Sequence, residues 1–96
     1  MDERPHIAPL ALANERLIWR EVDDQVIVLD KRTWHYLSIN DSGALLWRQI
    51  AEGATRAELV ARLRDDCELD EQAAARDVQA FIWMMQEHGL LLDGEG

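Results

Sequence analysis

Three segments rich in β-branched and aromatic residues, separated by breaks of only two residues, constrain this fold more than any other feature. They span residues 16–22, 25–30 and 33–39, and the polar breaks are 23–24 and 31–32. Such segments are typical of β-strands. Breaks this short join antiparallel neighbours, because a parallel connection needs a long crossover. The sequence therefore predicts a three-stranded antiparallel meander with the second strand in the centre.

The second half of the chain has the periodicity of helices. Residues 40–42 offer N-caps for a first helix, and Gly53 is a plausible stop for it. Residues 55–58 have the Thr-x-x-Glu spacing of a capping box that opens a second helix. A third helix is predicted over 70–88, ended by Gly89. The predicted fold class is α+β, a three-stranded antiparallel sheet followed by three helices.

The length of 96 residues favours one domain, which we place at residues 16–92. Residues 1–15 contain both prolines and are predicted to be an extended arm with at most one short turn. Leucines 90–92 are expected to return the chain to the core. Residues 93–96 are predicted to be a polar tail.

Charge and composition exclude several classes of function. Ten basic residues against 19 acidic ones give a net charge of -9, which disfavours nucleic acid and anionic membranes as partners. No apolar run approaches the ~20 residues of a membrane span, and the first residues lack the apolar core of a signal peptide. We therefore expect a cytoplasmic protein.

Catalytic and metal-binding signals are weak. Cys67 is the only cysteine, so no internal disulfide or cysteine-based zinc site is possible, and we predict it buried on the apolar stripe of the second helix. His35 and His88 could approach each other, but two such ligands make a poor metal signal. We expect no catalytic residue, no metal and no cofactor, and a binding module before an enzyme.

The third strand is predicted to be an edge without protection. An edge strand presents a row of unpaired N–H and C=O groups, and residues 33–39 contain no proline and no charge other than a protonated His35. Such an edge is either covered or accepts a partner strand. Alternation assigns its side chains to two faces, Trp34, Tyr36 and Ser38 on one and His35, Leu37 and Ile39 on the other, towards the helices.

The third helix has a wider apolar face than one contact requires. A core stripe is predicted at Ala74, Val78, Phe81, Ile82 and Met85. The apolar surface continues over Ala73, Ala80 and Met84, bordered by Asp77 and His88. Two interpretations stay open, a helix packed on two sides inside the domain and the wall of a groove for an apolar ligand or peptide.

The order of these motifs resembles the PqqD family of RiPP precursor recognition elements. The resemblance rests on the strand 26–30, the run 34–44 followed by Trp47, and the Asp-Val, Phe, Met and Gly-Leu-Leu positions within 77–91. It covers about residues 16–92. Ile39 stands where the family commonly has leucine. The Pro-Glu-Gly segment of true pyrroloquinoline-quinone proteins is missing, so the chain looks more like the stand-alone leader-binding proteins of lasso-peptide pathways.

The resemblance implies a winged helix-turn-helix fold and a non-catalytic function. Members bind the leader segment of a ribosomally made precursor peptide and deliver it to a leader protease or another modifying enzyme. The leader adds as a strand to 33–39 and lies against 70–88. The implied peptide-binding residues are Trp34, His35, Tyr36, Leu37, Ser38, Asp77, Val78, Ala80, Phe81, Met84 and His88. A monomer is favoured, and a homodimer is possible.

Two other functions stay open at this point. A winged-helix regulator would bind DNA, although Arg76 is the only basic residue on the third helix apart from the histidine at its end. A structural module would use the same open edge to pair with itself.

Overall fold

The computed structural model of the chain describes residues 10–92. The predictions for residues 1–9 and for the tail at 93–96 lie outside the described residues. A short 3-10 turn, Asn14–Arg16, precedes the strands β1 (Leu17–Val22), β2 (Gln25–Asp30) and β3 (His35–Asn40). The helices α1 (Ser42–Ala51), α2 (Arg56–Cys67) and α3 (Glu71–Glu87) follow. The order of three strands and then three helices is the predicted one.

The three strands form one antiparallel sheet in the order β1-β2-β3, which confirms the meander. Val28 of β2 lies opposite Trp19 of β1 and Leu37 of β3. Val26 and Val28 are fully buried, whereas Gln25 is exposed, so one face of β2 packs on the helices. Ile39 is buried and Leu37 packs against the core, as predicted for the inner face of β3.

The third strand begins later than the sequence predicts. Residues 31–34 form the turn, and the carbonyl oxygen of Asp30 accepts hydrogen bonds from the N–H groups of Thr33 (3.3 Å) and Trp34 (2.6 Å). Trp34 has a φ of 61°, which is left-handed and therefore not strand backbone. A two-residue break was too short for this connection, because the turn needs four residues to reverse the chain.

The predicted signals at the start of α2 and of α3 and at the end of α1 are confirmed. The predicted capping box of α2 is present. The Thr55 hydroxyl accepts a hydrogen bond from the N–H of Glu58 at 3.1 Å, and the Glu58 carboxylate accepts one from the N–H of Thr55 at 2.8 Å. The Asp70 carboxylate accepts the N–H of Ala73 at 2.8 Å and opens α3. Gly53 follows α1 with a φ of 95°, a conformation that glycine adopts without strain. These boundaries therefore follow from local residues, whereas Asp41 at the N-cap of α1 makes no side-chain capping bond.

The core is centred on Trp47 of α1, which is 0% exposed. Its ring meets that of Trp19 edge to face, with 5.7 Å between the centroids. The predicted stripe of α3 is buried throughout: Ala74, Val78, Phe81, Ile82 and Met85. The helices thus cover one face of the sheet with a single apolar layer.

The two ends of the described chain pair with each other. Leu12 and Leu91 form an isolated antiparallel bridge, flanked by hydrogen bonds from Ala13 N–H to Leu90 O (2.8 Å) and from Leu92 N–H to Ala11 O (2.8 Å). Leu12 and Ala13 are buried, so this part of the predicted N-terminal arm packs against the hydrophobic core. Leu90 and Leu91 reach the core as predicted, but Leu92 is 58% exposed and does not.

Cys67 is exposed, and the prediction that it is buried was wrong. It follows Leu63 by one turn on the same stripe, and Leu59 and Leu63 are the buried residues of α2. Cys67 is the last residue of α2, beyond the part of the helix that its neighbours cover. A periodic pattern gives the face of a helix but not where the packing ends.

No helix within residues 10–92 is both long and apolar enough to cross a membrane.

Replacing Trp47 with alanine should lower the free energy of unfolding by about 3–5 kcal/mol, because a fully buried indole leaves a large cavity. Trp83→Ala is the matched control, since that indole is 60% exposed, and its effect should stay within about 0.5 kcal/mol. Urea unfolding followed by circular dichroism measures both. Equal effects of the two substitutions would contradict the central position of Trp47.

Candidate functional site

A groove of about 630 Å³ lies between β3 and the C-terminal end of α3. The sheet side contributes Val28, Asp30, Arg32, Thr33, His35, Tyr36 and Leu37, and the helix side contributes Gln86, Glu87, His88, Gly89 and Leu90. Apolar side chains come from both walls, and polar groups concentrate at the end formed by the β2–β3 turn. This mixture suits a ligand with both apolar and polar groups.

The surroundings of Gly43, in the first turn of α1, show how α3 runs along β3. A methyl group at Gly43 would lie 2.9 Å from Cγ2 of Ile39 and 3.3 Å from Cε1 of Phe81. Phe81 is therefore close to the C-terminal end of β3, whereas residues 86–90 lie beside its N-terminal end. Helix α3 and strand β3 therefore run in opposite directions, and both come close to Gly43 of α1. The groove opens where they separate.

The backbone hydrogen bonds of the sheet identify which amides of β3 face outward. Lys31 N–H donates to Arg16 O at 2.7 Å, one step beyond the Leu17–Asp30 pair. In an antiparallel ladder the hydrogen-bonded pairs alternate with non-bonded pairs. The odd-numbered residues of β2 therefore bond to β1, and its even-numbered residues bond to β3.

The same alternation continues through the register of β3. Leu37 and Ile39 lie opposite Val28 and Val26, so their N–H and C=O groups point towards β2. Tyr36, Ser38 and Asn40 direct theirs to the other edge. No strand pairs with that edge within residues 10–92. The free edge of β3 therefore presents backbone donors and acceptors beside the groove.

Two arginines hold the polar end of the groove together. Arg32 donates to the Asp30 carboxylate from its backbone N–H (2.8 Å), from Nε (3.4 Å) and from Nη2 (3.2 Å). Nη2 of Arg16 donates to the carbonyl oxygen of Gly89 at 3.0 Å. Gly89 has a φ of 69°, and a Cβ there would lie 2.6 Å from Nη2 of Arg32. Glycine is favoured here because it adopts this left-handed conformation without strain. The short distance shows that the Arg32 side chain lies against the turn after α3.

The Arg32 side chain holds the pKa of the Asp30 carboxyl below its ordinary value, and the hydrogen bond from the Arg32 backbone adds to this effect. Asp30 is therefore a carboxylate at neutral pH, and its charge is matched by Arg32 within the groove.

The structure brings some of the predicted site residues together and separates others. His35, Tyr36, Leu37 and His88 line the groove. Trp34 and Ser38 are exposed, and each directly adjoins a lining residue in the chain. The five others do not line it: Asp77 and Ala80 are exposed, Val78 and Phe81 are buried, and Met84 is half-buried against the core.

The sequence analysis missed several residues that line the groove. Asp30 and Arg32 lie at or beside the β2–β3 turn, and Gln86 and Glu87 lie in the last turn of α3. The stop signal at Gly89 could have identified the end of α3 as a meeting point. The hydrogen bond that fixes this end joins Arg16 to a residue 73 positions away, which no local pattern reveals.

A second depression of about 430 Å³ lies between α1 and α2. Its charged residues are Glu52, Glu58, Arg62 and Asp65. Glu58 already bonds the N-cap of α2, and Arg62 pairs with Asp66 at 2.9 Å. Within residues 10–92, no three His, Cys, Asp or Glu side chains are placed so that they could hold one metal ion. The groove beside β3 is the stronger candidate.

Comparisons with known proteins agree on one family and one fold. The family described as "Coenzyme PQQ synthesis protein D (PqqD)" matches residues 25–91. No curated protein sequence matches the chain. A solved structure titled "TbiB1 in Complex with the TbiA(beta) Leader Peptide" is 21% identical, with a TM-score of 0.82 over 90% of this chain and 99% of that one.

A second similar structure is titled "Lasso peptide synthetase B1 complexed with the leader peptide". It is 25% identical, with a TM-score of 0.79 over 88% of this chain and 98% of that one. The predicted α+β fold is thereby confirmed over nearly the whole length of both solved chains.

Replacing Arg32 with glutamine should raise the pKa of Asp30 towards its ordinary value, because the guanidinium that stabilises the carboxylate is removed. The lowered pKa stabilises the fold above the ordinary carboxyl pKa, and this contribution is lost as pH falls through the lowered value. A carbon-detected NMR titration of the Asp30 carboxyl measures the shift. Arg48→Gln, beside Glu21, is the control and should leave Asp30 unchanged.

Proposed function

This chain belongs to the PqqD family, and from that membership and its groove we propose that it binds the leader segment of a ribosomally made precursor peptide. The leader enters as an added strand on β3 and lies against the C-terminal half of α3. Both similar structures are titled as complexes with a leader peptide, which supports the proposal. The name of the second one favours a lasso-peptide type of pathway.

One observation carries the proposal, the free edge of β3 beside an open groove. Tyr36, Ser38 and Asn40 offer N–H and C=O groups in strand register, as addition of an extended peptide requires. A net contribution of about 1 kcal/mol is typical of each hydrogen bond. Micromolar affinity requires about 8 kcal/mol. Backbone pairing over this short strand therefore needs help from side chains.

The groove supplies that help through its apolar walls. Val28, Leu37 and Leu90 line it from both sides. Burying one apolar side chain of the peptide contributes about 1.5–3 kcal/mol, so two or three such anchors complete the affinity. The polar end with Asp30 and Arg32 orients the peptide, because an apolar side chain placed there would remove water from this ion pair without replacing its hydrogen bonds.

The role in this proposal is that of an adaptor without catalysis. The chain holds the leader and presents the attached precursor to a leader protease or another modifying enzyme. Its net charge of -9 and the single arginine on α3 do not favour a DNA-binding function. Self-pairing would use the same edge of β3 and would therefore compete with the leader.

A proline at Ser38 should weaken leader binding at least about tenfold, because it removes an outward N–H and places its ring on the free edge. Leu37 is not suitable for this test, since its amide faces β2. Calorimetric titration with a synthetic peptide, the leader segment of any short precursor encoded beside this chain, measures the affinity. Intrinsic tryptophan fluorescence provides a second readout.

Glu21→Pro is the matched control for that substitution. Glu21 lies opposite Val26, so the same alternation directs its amide to the free edge of β1, on the far side of the sheet. This variant should bind the leader with unchanged affinity. Equal binding by a folded Ser38→Pro variant and by the unchanged chain would refute strand addition to β3.

A further inference from the structure

Trp34 has a backbone conformation that suits its side chain poorly. Its φ is 61°, and the other non-glycine residues with positive φ in the described chain are Asp23, Asp41 and Glu68. Aspartate tolerates this region better than most residues, and Glu68 lies at the end of a helix, where the left-handed conformation is common. A bulky aromatic residue is disfavoured there.

The fold itself gains little from the indole of Trp34. Its side chain is 67% exposed, and the one aromatic pair within residues 10–92 joins Trp19 and Trp47. The turn is closed by the backbone, through Trp34 N–H to Asp30 O, and by the Arg32–Asp30 bonds. Asparagine or glycine would meet the requirements of this turn with less strain.

The position of Trp34 connects it to the groove. Its chain neighbours Thr33 and His35 both line the groove, and so does Tyr36, which is 72% exposed. Trp34 is thus the residue at which the turn enters the free-edge strand. A strand added along the free edge of β3 would pass beside the backbone of this residue, which directly precedes β3.

We propose that Trp34, next in the chain to two residues that line the groove, is a specificity-determining residue whose indole packs on an apolar side chain of the bound peptide. The inference rests on the proposed function and adds that stability is given up for affinity at this residue. Sparsely populated backbone conformations persist at binding sites where the side chain they position contributes to binding. Tryptophan suits this role because it offers a large rigid surface at a small entropy cost.

Trp34→Gly and Trp34→Asn should weaken binding of the leader without lowering the stability of the fold. The melting temperature should stay the same or rise by up to about 5 °C, because strain is relieved. The dissociation constant for the synthetic leader should increase at least about tenfold, as expected for loss of a buried tryptophan at an interface. Thermal unfolding and calorimetry measure the two quantities.

Asp23→Gly is the matched control. It relieves a φ of 57° in the β1–β2 turn, at the opposite end of the sheet from Trp34. Its dissociation constant should equal that of the unchanged chain. Affinity lost equally in this variant would show that relaxed turns, rather than a missing indole, weaken binding, and would overturn the inference.

The remaining outcomes separate this inference from the proposed function. A melting temperature that falls in both Trp34 variants would overturn the inference, because the indole would then support the fold. A dissociation constant within about twofold of the unchanged value would also overturn it, while the Ser38→Pro result still decides strand addition. Absence of binding by the unchanged chain would overturn both.

Fluorescence supplies an independent readout of contact. In a Trp83→Phe variant, Trp34 is the one strongly exposed tryptophan, since Trp19 is half-buried and Trp47 is buried. Leader binding should shift its emission to the blue and protect it from acrylamide quenching. Unchanged quenching at saturating peptide would overturn the inference.

Discussion

The strict alternation of the strands is the constraint on which the rest of this structure depends. The registers of β1–β2 and β2–β3 run without a bulge, so each residue of β3 has one fixed face and one fixed direction for its amide. Burial of Val26, Val28 and Ile39 fixes the face. Once the face is fixed, a slip by one residue would place all of these side chains in solvent. The outward amides of Tyr36 and Ser38 are therefore a consequence of the core.

The unpaired edge of β3 carries a risk of self-association. An open edge invites pairing between copies, and β3 contains no proline or lysine to prevent it. The net charge of -9 opposes such contacts through repulsion over the whole molecule. A peptide of lower negative charge is repelled less than a second copy of the chain. Overall charge thus opposes self-pairing that the local geometry of the edge would permit.

Local chemistry in the sequence was sufficient for the elements and insufficient for the groove. The capping residues Thr55 and Asp70 are informative because their bonds stay within one turn of the helix. The burial of Phe81 depends instead on Gly43 of α1, where a Cβ would lie 3.3 Å from the Phe81 ring and 2.9 Å from Ile39 of β3. The apolar stripe predicted on α3 is correct. Which of its residues lie in the core and which line the groove is set by tertiary contacts. Trp34 shows the same limit of local sequence patterns. Residues 33–39 have the composition of a strand, but residues 33 and 34 belong to the turn.

The bridge between Leu12 and Leu91 places the two ends of the described chain side by side. Entry and exit of the backbone therefore share one location, as in many domains that accept circular permutation. A second domain joined before Leu12 or after Leu91 would be tethered at the same point on the body. The order of the two domains in a fused polypeptide would therefore matter little to their reach.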